Sequence, residues 1–382
     1  MAEPRDIFIV TNAVFELGGL QQWAHEISRL LTGRGHRVQL IGVEPARVVR
    51  GYGSDLPYPT RTLHDDFLPP KPKVSGLHAL NPVDRVRQRR RDAEMARGVR
   101  QLSALFRAAQ PGAVVIAAQI WAGEWVAAAD TDGMIVIGMS HESYQATRSS
   151  SRYERVQRYY ADVDIHLTLT DADADAWARA GMSNIGSMPN PMMVEPANLP
   201  TLDEKTIITL GRLSHEKGID MLLEAWALVG PQYPDWELKV FGSGPDESQL
   251  RAQARELGLD DTRILQGRTD NIDAALSSAS IYALPSRQEG FPVAVMEAMA
   301  YGLPTVAFDC APGVTELIED EVSGGLVVTP GNVPGMAAAL ERLIKDRDLR
   351  GRLGEAGQRS VQRYSPDHIL DRWEALFALL ER

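Results

Sequence analysis

The feature that most constrains this chain is a pattern that runs once and then starts again. Ile7 to Val10 forms a short apolar run of the buried-strand type. A Gly18-Gly19 pair then leads into a helical stretch from about Leu20 to Leu31, ended by Gly33, and a second strand is expected from Arg37 to Val43. Strand, loop, helix, strand in that order calls for a parallel sheet. A long helix is expected from about Val83 to Ala109, and further strands at Ala113–Ala117, Met134–Met139 and Ile165–Leu169. Residues 51–82 are rich in proline and glycine without a period and read as a long loop, which suggests function. Residues 189–204 hold four prolines and read as a linker. At Thr206 the pattern restarts. Strands are expected at Thr206–Leu210, Glu237–Phe241, Ile264–Gln266, Ile281–Leu284, Thr305–Phe308 and Gly325–Val328. Helices are expected at Gly218–Leu228 and Pro292–Ala300, with a helical end broken at Ser365-Pro366. Two α/β halves joined by a proline-rich linker should bind a ligand in the cleft between them.

Length agrees with this division, since 382 residues at roughly 100–200 per domain give two domains. The lone cysteine, Cys310, excludes a disulfide framework and a multi-cysteine metal site, and fits a reducing compartment. The opening MAEPRDIFIVTN does not read as a secretory signal, and no apolar run approaches the ~20 residues that span a bilayer. The expected location is the cytoplasm, with attachment to the inner face of the membrane as an alternative. A net charge of −11 disfavours nucleic acid as a partner.

Two constellations carry chemistry. Gly211-Arg212-Leu213-Ser214-His215-Glu216-Lys217-Gly218 follows a strand and opens a helix, where free N–H groups and the helix dipole favour an anion. Arg212 adds a planar fork of donors and Lys217 a point charge, which together could hold a diphosphate without a metal. The second is Glu289-Gly290-Phe291-Pro292-Val293-Ala294-Val295-Met296-Glu297, with Pro292 in the first helical turn. It puts Glu289 in a loop and Glu297 on a helix, and each carboxylate could accept hydrogen bonds from vicinal hydroxyls. Taken singly, each pattern also fits ordinary surface charges.

Taken together, G-R-L-x-x-E-K-G and, about seventy residues on, E-G-F-P-x-x-x-x-E resemble the family 4 nucleotide-sugar glycosyltransferases. The resemblance implies the glycosyltransferase B fold: two Rossmann-like domains with parallel sheets facing across a cleft. It implies an N-terminal acceptor domain over 1–190, a C-terminal donor domain over 203–365, and a C-terminal helix over 366–382 that crosses back to the first domain. The activity implied is retaining transfer from a nucleotide-diphosphate sugar to an acceptor hydroxyl, giving an α-glycoside. A UDP-sugar is favoured as donor over GDP-mannose. Arg212 and Lys217 would bind the diphosphate, Glu289 the donor-sugar hydroxyls and Glu297 the ribose. Gly290, Phe291 and Pro292 belong to the same donor motif. Gly18 and Gly19 match a loop whose backbone approaches the donor, His141 in Gly138-Met139-Ser140-His141-Glu142 matches the histidine that meets the sugar, and Gly242 opens a G-x-G-P turn near the nucleotide. No cofactor and no metal are expected.

Asp171-Ala172-Asp173-Ala174-Asp175 looks like a metal cluster but lacks the glycine and the terminal glutamate of a calcium loop, so it is read as a helix start. Seven arginines between Arg85 and Arg100 are either a solvated helix face or a dock for an anionic acceptor or membrane. The acceptor itself, a glycan, a lipid-linked group or a small molecule, is open. A non-hydrolysing sugar-nucleotide epimerase and a non-catalytic nucleotide-sugar-binding protein are the competing functions.

Overall fold

The computed structural model describes residues 3–53, 55–69, 81–196 and 198–381. They form two compact units. One takes the chain up to Met188 together with the residues from Leu370 on; the other is Pro189–Ile369.

The first unit is built on seven parallel strands: β1 (Asp6–Thr11), β2 (Arg37–Gly42), β3 (Thr60–Thr62), β4 (Val114–Ala117), β5 (Ile135–Met139), β6 (Ile165–Thr168) and β7 (Ile185–Ser187), in the order β3-β2-β1-β4-β5-β6-β7. The helices between them are α1 (Gly19–Gly33), α2 (Pro82–Arg107), α3 (Ile120–Ala128), α4 (Tyr144–Arg148), α5 (Arg152–Tyr159) and α6 (Asp171–Arg179). Every residue of β4 is buried, as expected of a central parallel strand covered on both faces. The order reverses beside β1, which pairs with β2 on one side and β4 on the other.

The second unit repeats the plan with β8 (Thr206–Leu210), β9 (Glu237–Phe241), β10 (Leu265–Gly267), β11 (Ile281–Leu284), β12 (Thr305–Phe308) and β13 (Gly325–Val328), in the order β10-β9-β8-β11-β12-β13. Its helices include α7 (Ile219–Val229), α8 (Glu247–Glu256), α9 (Asp261–Ile264), α10 (Ile272–Ser277), α11 (Val293–Ala300), α12 (Pro312–Leu317), α13 (Val333–Lys345) and α14 (Arg347–Val361). Here the reversal falls beside β8, between β9 and β11.

The expected strands and main helices are present, and the differences have physical reasons. The segment 51–82 is not loop throughout, because β3 pairs with β2 at Leu40, Ile41 and Gly42; residues 54 and 70–80 lie outside the described residues. Thr-Arg-Thr is too short and polar to announce an edge strand, and β7, Ile-Gly-Ser, escapes notice for the same reason. The helical end breaks at Ser365-Pro366, and α15 (Pro366–Leu380) follows. From Leu370 on this helix belongs to the first unit: Trp373 and Phe377 are fully buried, Asp371 pairs with Arg34 at 2.9 Å and Glu381 with Arg5 at 2.7 Å. Among the described residues no helix is long and apolar enough to cross a membrane.

Candidate functional site

In the second unit the two motifs follow neighbouring strands. β8 and β11 pair in parallel, Ile207 beside Ile281 and Ile208 beside Tyr282, so the loops at their C-terminal ends emerge together at the reversal of strand order. Open parallel sheets hold ligands at such a point. The loops are also tied to each other. Arg287 closes both Nη atoms on Asp220 at 2.7 and 2.6 Å, donates to the His215 carbonyl at 2.9 Å, and gives its own N–H to the Glu216 carbonyl at 2.8 Å. Burial would raise the Asp220 carboxyl, but Arg287 outweighs it and holds that group below the usual carboxylate range.

Within this frame Lys217 and Glu289 meet directly. Lys217 Nζ donates to Glu289 Oε1 at 2.7 Å, and the Ser286 hydroxyl donates to the same oxygen at 2.7 Å. The Glu289 side chain is 9% exposed and that of Lys217 31%. An ammonium has three donors, so the lysine can hold Glu289 and still face an anion. Arg212 is exposed; its carbonyl accepts the Ser214 N–H at 3.0 Å, and its guanidinium makes no hydrogen bond or ion pair among the described residues. Gly218 ends a 3-10 turn, His215–Lys217, and starts α7 in the left-handed conformation (φ 64°). A Cβ there would stand 2.0 Å from the Pro285 carbonyl oxygen, so only glycine lets the two loops close on each other. Gly242 is under the same demand, since its Cβ would lie 1.7 Å from the Gly211 carbonyl oxygen. It therefore shapes the loop that carries Arg212.

Glu297 lies on the buried side of α11, 7% exposed. Burial pushes its carboxyl up to about 7. It stands on the helix as expected, but within a stretch, Val295 to Ala300, that is buried throughout. The ring of Phe291 packs edge-on against Tyr364, with centroids 5.3 Å apart, so this residue and Gly290 can offer a ligand only main chain.

The first unit gathers a second set. Ser140 and His141 leave the end of β5 and meet the start of α1: the Trp23 ring stands edge-on to His141 at 4.5 Å. Burial pushes the imidazole down to about 3, so it is neutral at ordinary pH. Its Nε2 and the Asn12 Oδ1 are buried with no partner among the described residues, and both residues line a cavity of about 140 Å3. The Gly18 N-cap gives α1 no side-chain cap. Gly18 is extended, and its Cβ would meet only the movable tip of Gln21; at Gly19 a Cβ would meet nothing within 4 Å. Nothing in the protein's own packing demands glycine there.

Several residues of these sites went unremarked in the sequence. Gln119, whose side chain accepts the Asn12 N–H at 2.8 Å, is polar just beyond a buried strand, the same signal that marks His141. The Arg287–Asp220 tie had no signal, since the partners lie 67 residues apart, and Ser286 stood out only as part of the Pro285-Ser286 turn that leads into the motif. Thr170 caps the start of α6: its Oγ1 accepts the Asp173 N–H at 3.0 Å and donates to the Asp173 carboxylate at 2.7 Å. Among the described residues no group of three or more His, Cys, Asp or Glu is arranged to hold a metal ion.

The family model of the group 1 glycosyl transferases matches residues 195–360. An uncharacterised glycosyltransferase of Haemophilus influenzae is 35% identical over 240 residues, which cover 62% of this chain and 68% of that protein. The chain belongs to the group 1 glycosyltransferases. A phosphatidyl-myo-inositol mannosyltransferase of Mycobacterium leprae is 32% identical over 241 residues, 60% of this chain and 63% of its own length. Among solved structures, Staphylococcus aureus TarM, in complex with fondaparinux, α-GlcNAc-glycerol and UDP, superposes with a TM-score of 0.78 over 98% of this chain and 99% of that one, at 14% identity. The two parallel-sheet units thus have the glycosyltransferase B fold.

The Glu297 carboxyl yields a test that needs no ligand. Its folded value, near 7, lies above the unfolded value of about 4.3. Its contribution to stability is therefore complete below the unfolded value and is lost as pH rises through the folded one. Glu297→Gln removes the titration. Urea midpoints measured from about pH 5 to about pH 8 should show the wild type losing ground steadily to the variant. Parallel curves would mean that the carboxyl is not buried as described.

Proposed function

We propose that the transferase moves a sugar from a UDP-sugar to an acceptor hydroxyl with retention, forming an α-glycoside. The observation that carries this reading is the Lys217–Glu289 pair, fixed by Ser286 at the reversal of strand order, with the buried Glu297 eight residues on in the same motif. Departure of a nucleoside diphosphate places negative charge on phosphate oxygens. Arg212 and Lys217 would neutralise it, and preorganised charges shielded from water act more strongly than in bulk solvent. Glu289, its orientation set by Lys217 and Ser286, would accept hydrogen bonds from donor-sugar hydroxyls. Glu297 would take the ribose hydroxyls; they would supply the donors that its carboxylate lacks and favour its charged form.

For the first unit the proposal assigns Gly18 and Gly19 to close backbone approach by the donor, consistent with the open space at Gly19. The neutral His141 is assigned to the donor sugar, where one ring nitrogen can accept and the other donate. No side chain is assigned as a covalent nucleophile; the departing phosphate would receive the acceptor's proton. UDP is preferred over GDP because the TarM structure, alike in fold, holds UDP. The reaction is proposed to proceed without a metal, the two cations and the helix N-terminus compensating the diphosphate. A peripheral contact with anionic membrane at the cytoplasmic face is proposed for the start of α2, where Arg85, Arg87, Arg89 and Arg90 are exposed alongside Val83 and Val86. Arg91 is not part of that contact, because it donates to the Pro69 carbonyl at 2.7 Å.

Three outcomes follow from this chemistry. A charge-assisted bond contributes about 1.5–3 kcal/mol, so Lys217→Ala should lower turnover at least about tenfold; steady-state rates within about twofold of wild type would defeat the phosphate role. Turnover should persist in excess EDTA, whereas loss reversed only by magnesium or manganese would show that the cations do not suffice. Vesicles containing phosphatidylserine should carry the protein upward in flotation at low salt, where electrostatic attraction is least screened. Charge reversal at Arg85, Arg89 and Arg90 should abolish flotation and leave donor hydrolysis intact, and equal flotation on neutral vesicles would refute the basic contact.

A further inference from the structure

The α3–α5 pair presents a concave surface that the donor chemistry does not use. On α3, Trp121, Glu124 and Ala128 fall at i, i+3 and i+7, one face of a helix. On α5, Arg152, Arg155 and Tyr159 do the same. The two stripes meet along a seam. The Arg155 guanidinium sits 3.7 Å from the Trp121 ring centroid and 3.5 Å from a Glu124 oxygen. Burial and then the adjacent Glu124 carboxylate keep the Tyr159 hydroxyl neutral, with its pKa raised.

Both ends of the seam open into cavities. Trp121 and Arg152 line the small one that holds His141 and Asn12. Glu124, Arg158, Tyr159 and Asp162, with Met95 and Ala127, line a larger one of about 500 Å3. From Arg152 to Tyr159 the helix rises about 10 Å, longer than a single pyranose ring.

The lining selects the ligand. Trp121 is 40% exposed although it is large and apolar, so beyond the face that carries Arg155 it still offers ring surface to which sugar C–H groups can pack. Carboxylate and guanidinium groups bind pairs of hydroxyls in one plane. The charges balance: Arg152, Arg155 and Arg158 stand against Glu124, Glu142 and Asp162, and Arg152 already pairs with Glu142 at 3.3 Å. A balanced seam does not favour a polyanion, and charged groups in the larger cavity disfavour an acyl chain.

We propose that the α3–α5 seam is an acceptor subsite for an uncharged saccharide of more than one ring, stacked on Trp121 and Tyr159 and hydrogen-bonded by Glu124 and Arg155. The transferase then elongates a glycan and does not act on a lone monosaccharide. The binding claim stands by itself; the elongation claim rests on the transfer reading above.

Saturation-transfer NMR on the full chain, with maltotriose, chitotriose and mannotriose against their monosaccharides, tests the binding. At least one trisaccharide should bind about tenfold or more tightly than its monosaccharide. Trp121→Ala should lose at least about tenfold of that affinity while Trp121→Phe retains most of it, because the phenyl ring keeps the stacking face. Ala127→Trp, at an exposed position in the larger cavity, should weaken the trisaccharide alone and gives the same reading if Trp121→Ala does not fold. UDP release from a UDP-sugar without acceptor should stay within about twofold of wild type in Ala127→Trp, which lies outside the cavity that holds His141. No trisaccharide bound above its monosaccharide, or undiminished binding by Trp121→Ala and Ala127→Trp, would overturn the subsite. Trisaccharide binding in a protein that releases no UDP from any UDP-sugar would sink the donor reading and keep the seam.

Discussion

The parallel pairing of β8 with β11 is the constraint on which the second unit's chemistry depends. Only two residues of each strand are in register, yet the pairing brings loops more than seventy residues apart in sequence to one edge of the sheet. Electrostatics then finishes what the strands begin. Arg287 clamps Asp220 and two carbonyls of the facing turn, and Lys217 closes on Glu289. The closeness of these contacts explains the left-handed glycine at 218, because any side chain would collide with the Pro285 carbonyl. The residues proposed to meet the donor include side chains that hold the loops together, Lys217 and Glu289.

Burial sets the protonation state of the groups that have no ionic partner. His141 is held neutral and Glu297 is brought near 7 by burial, the first-unit and second-unit versions of one effect. Glu289 differs because a lysine and a serine hydroxyl satisfy it. His141 Nε2 is buried without a hydrogen-bond partner among the described residues, and such a deficit in a native protein calls for an explanation. The proposed donor supplies one.

Much of this was legible in the sequence. The strand and helix periods gave both halves and their parallel sheets, and the two charged motifs marked the candidate site at the β8–β11 edge, because loops after buried strands must carry whatever polar chemistry the sheet edge presents. The short edge strands β3 and β7 were not legible, since three residues carry no period. Gln119 could have been found by the rule that singled out His141, a polar residue just past a buried strand.

What the sequence by itself determined is the order of elements, the identity of the charges and the places where only glycine or proline fits, because these follow from local sterics and spacing. Tertiary structure alone decided that Lys217 would pair with Glu289, that Glu297 would lose its water, and that Trp121 would lie against Arg155 in an open seam. Those outcomes depend on through-space distances between segments far apart in the chain, and on how much solvent the packing leaves around each group. Neither quantity is written in any window of residues.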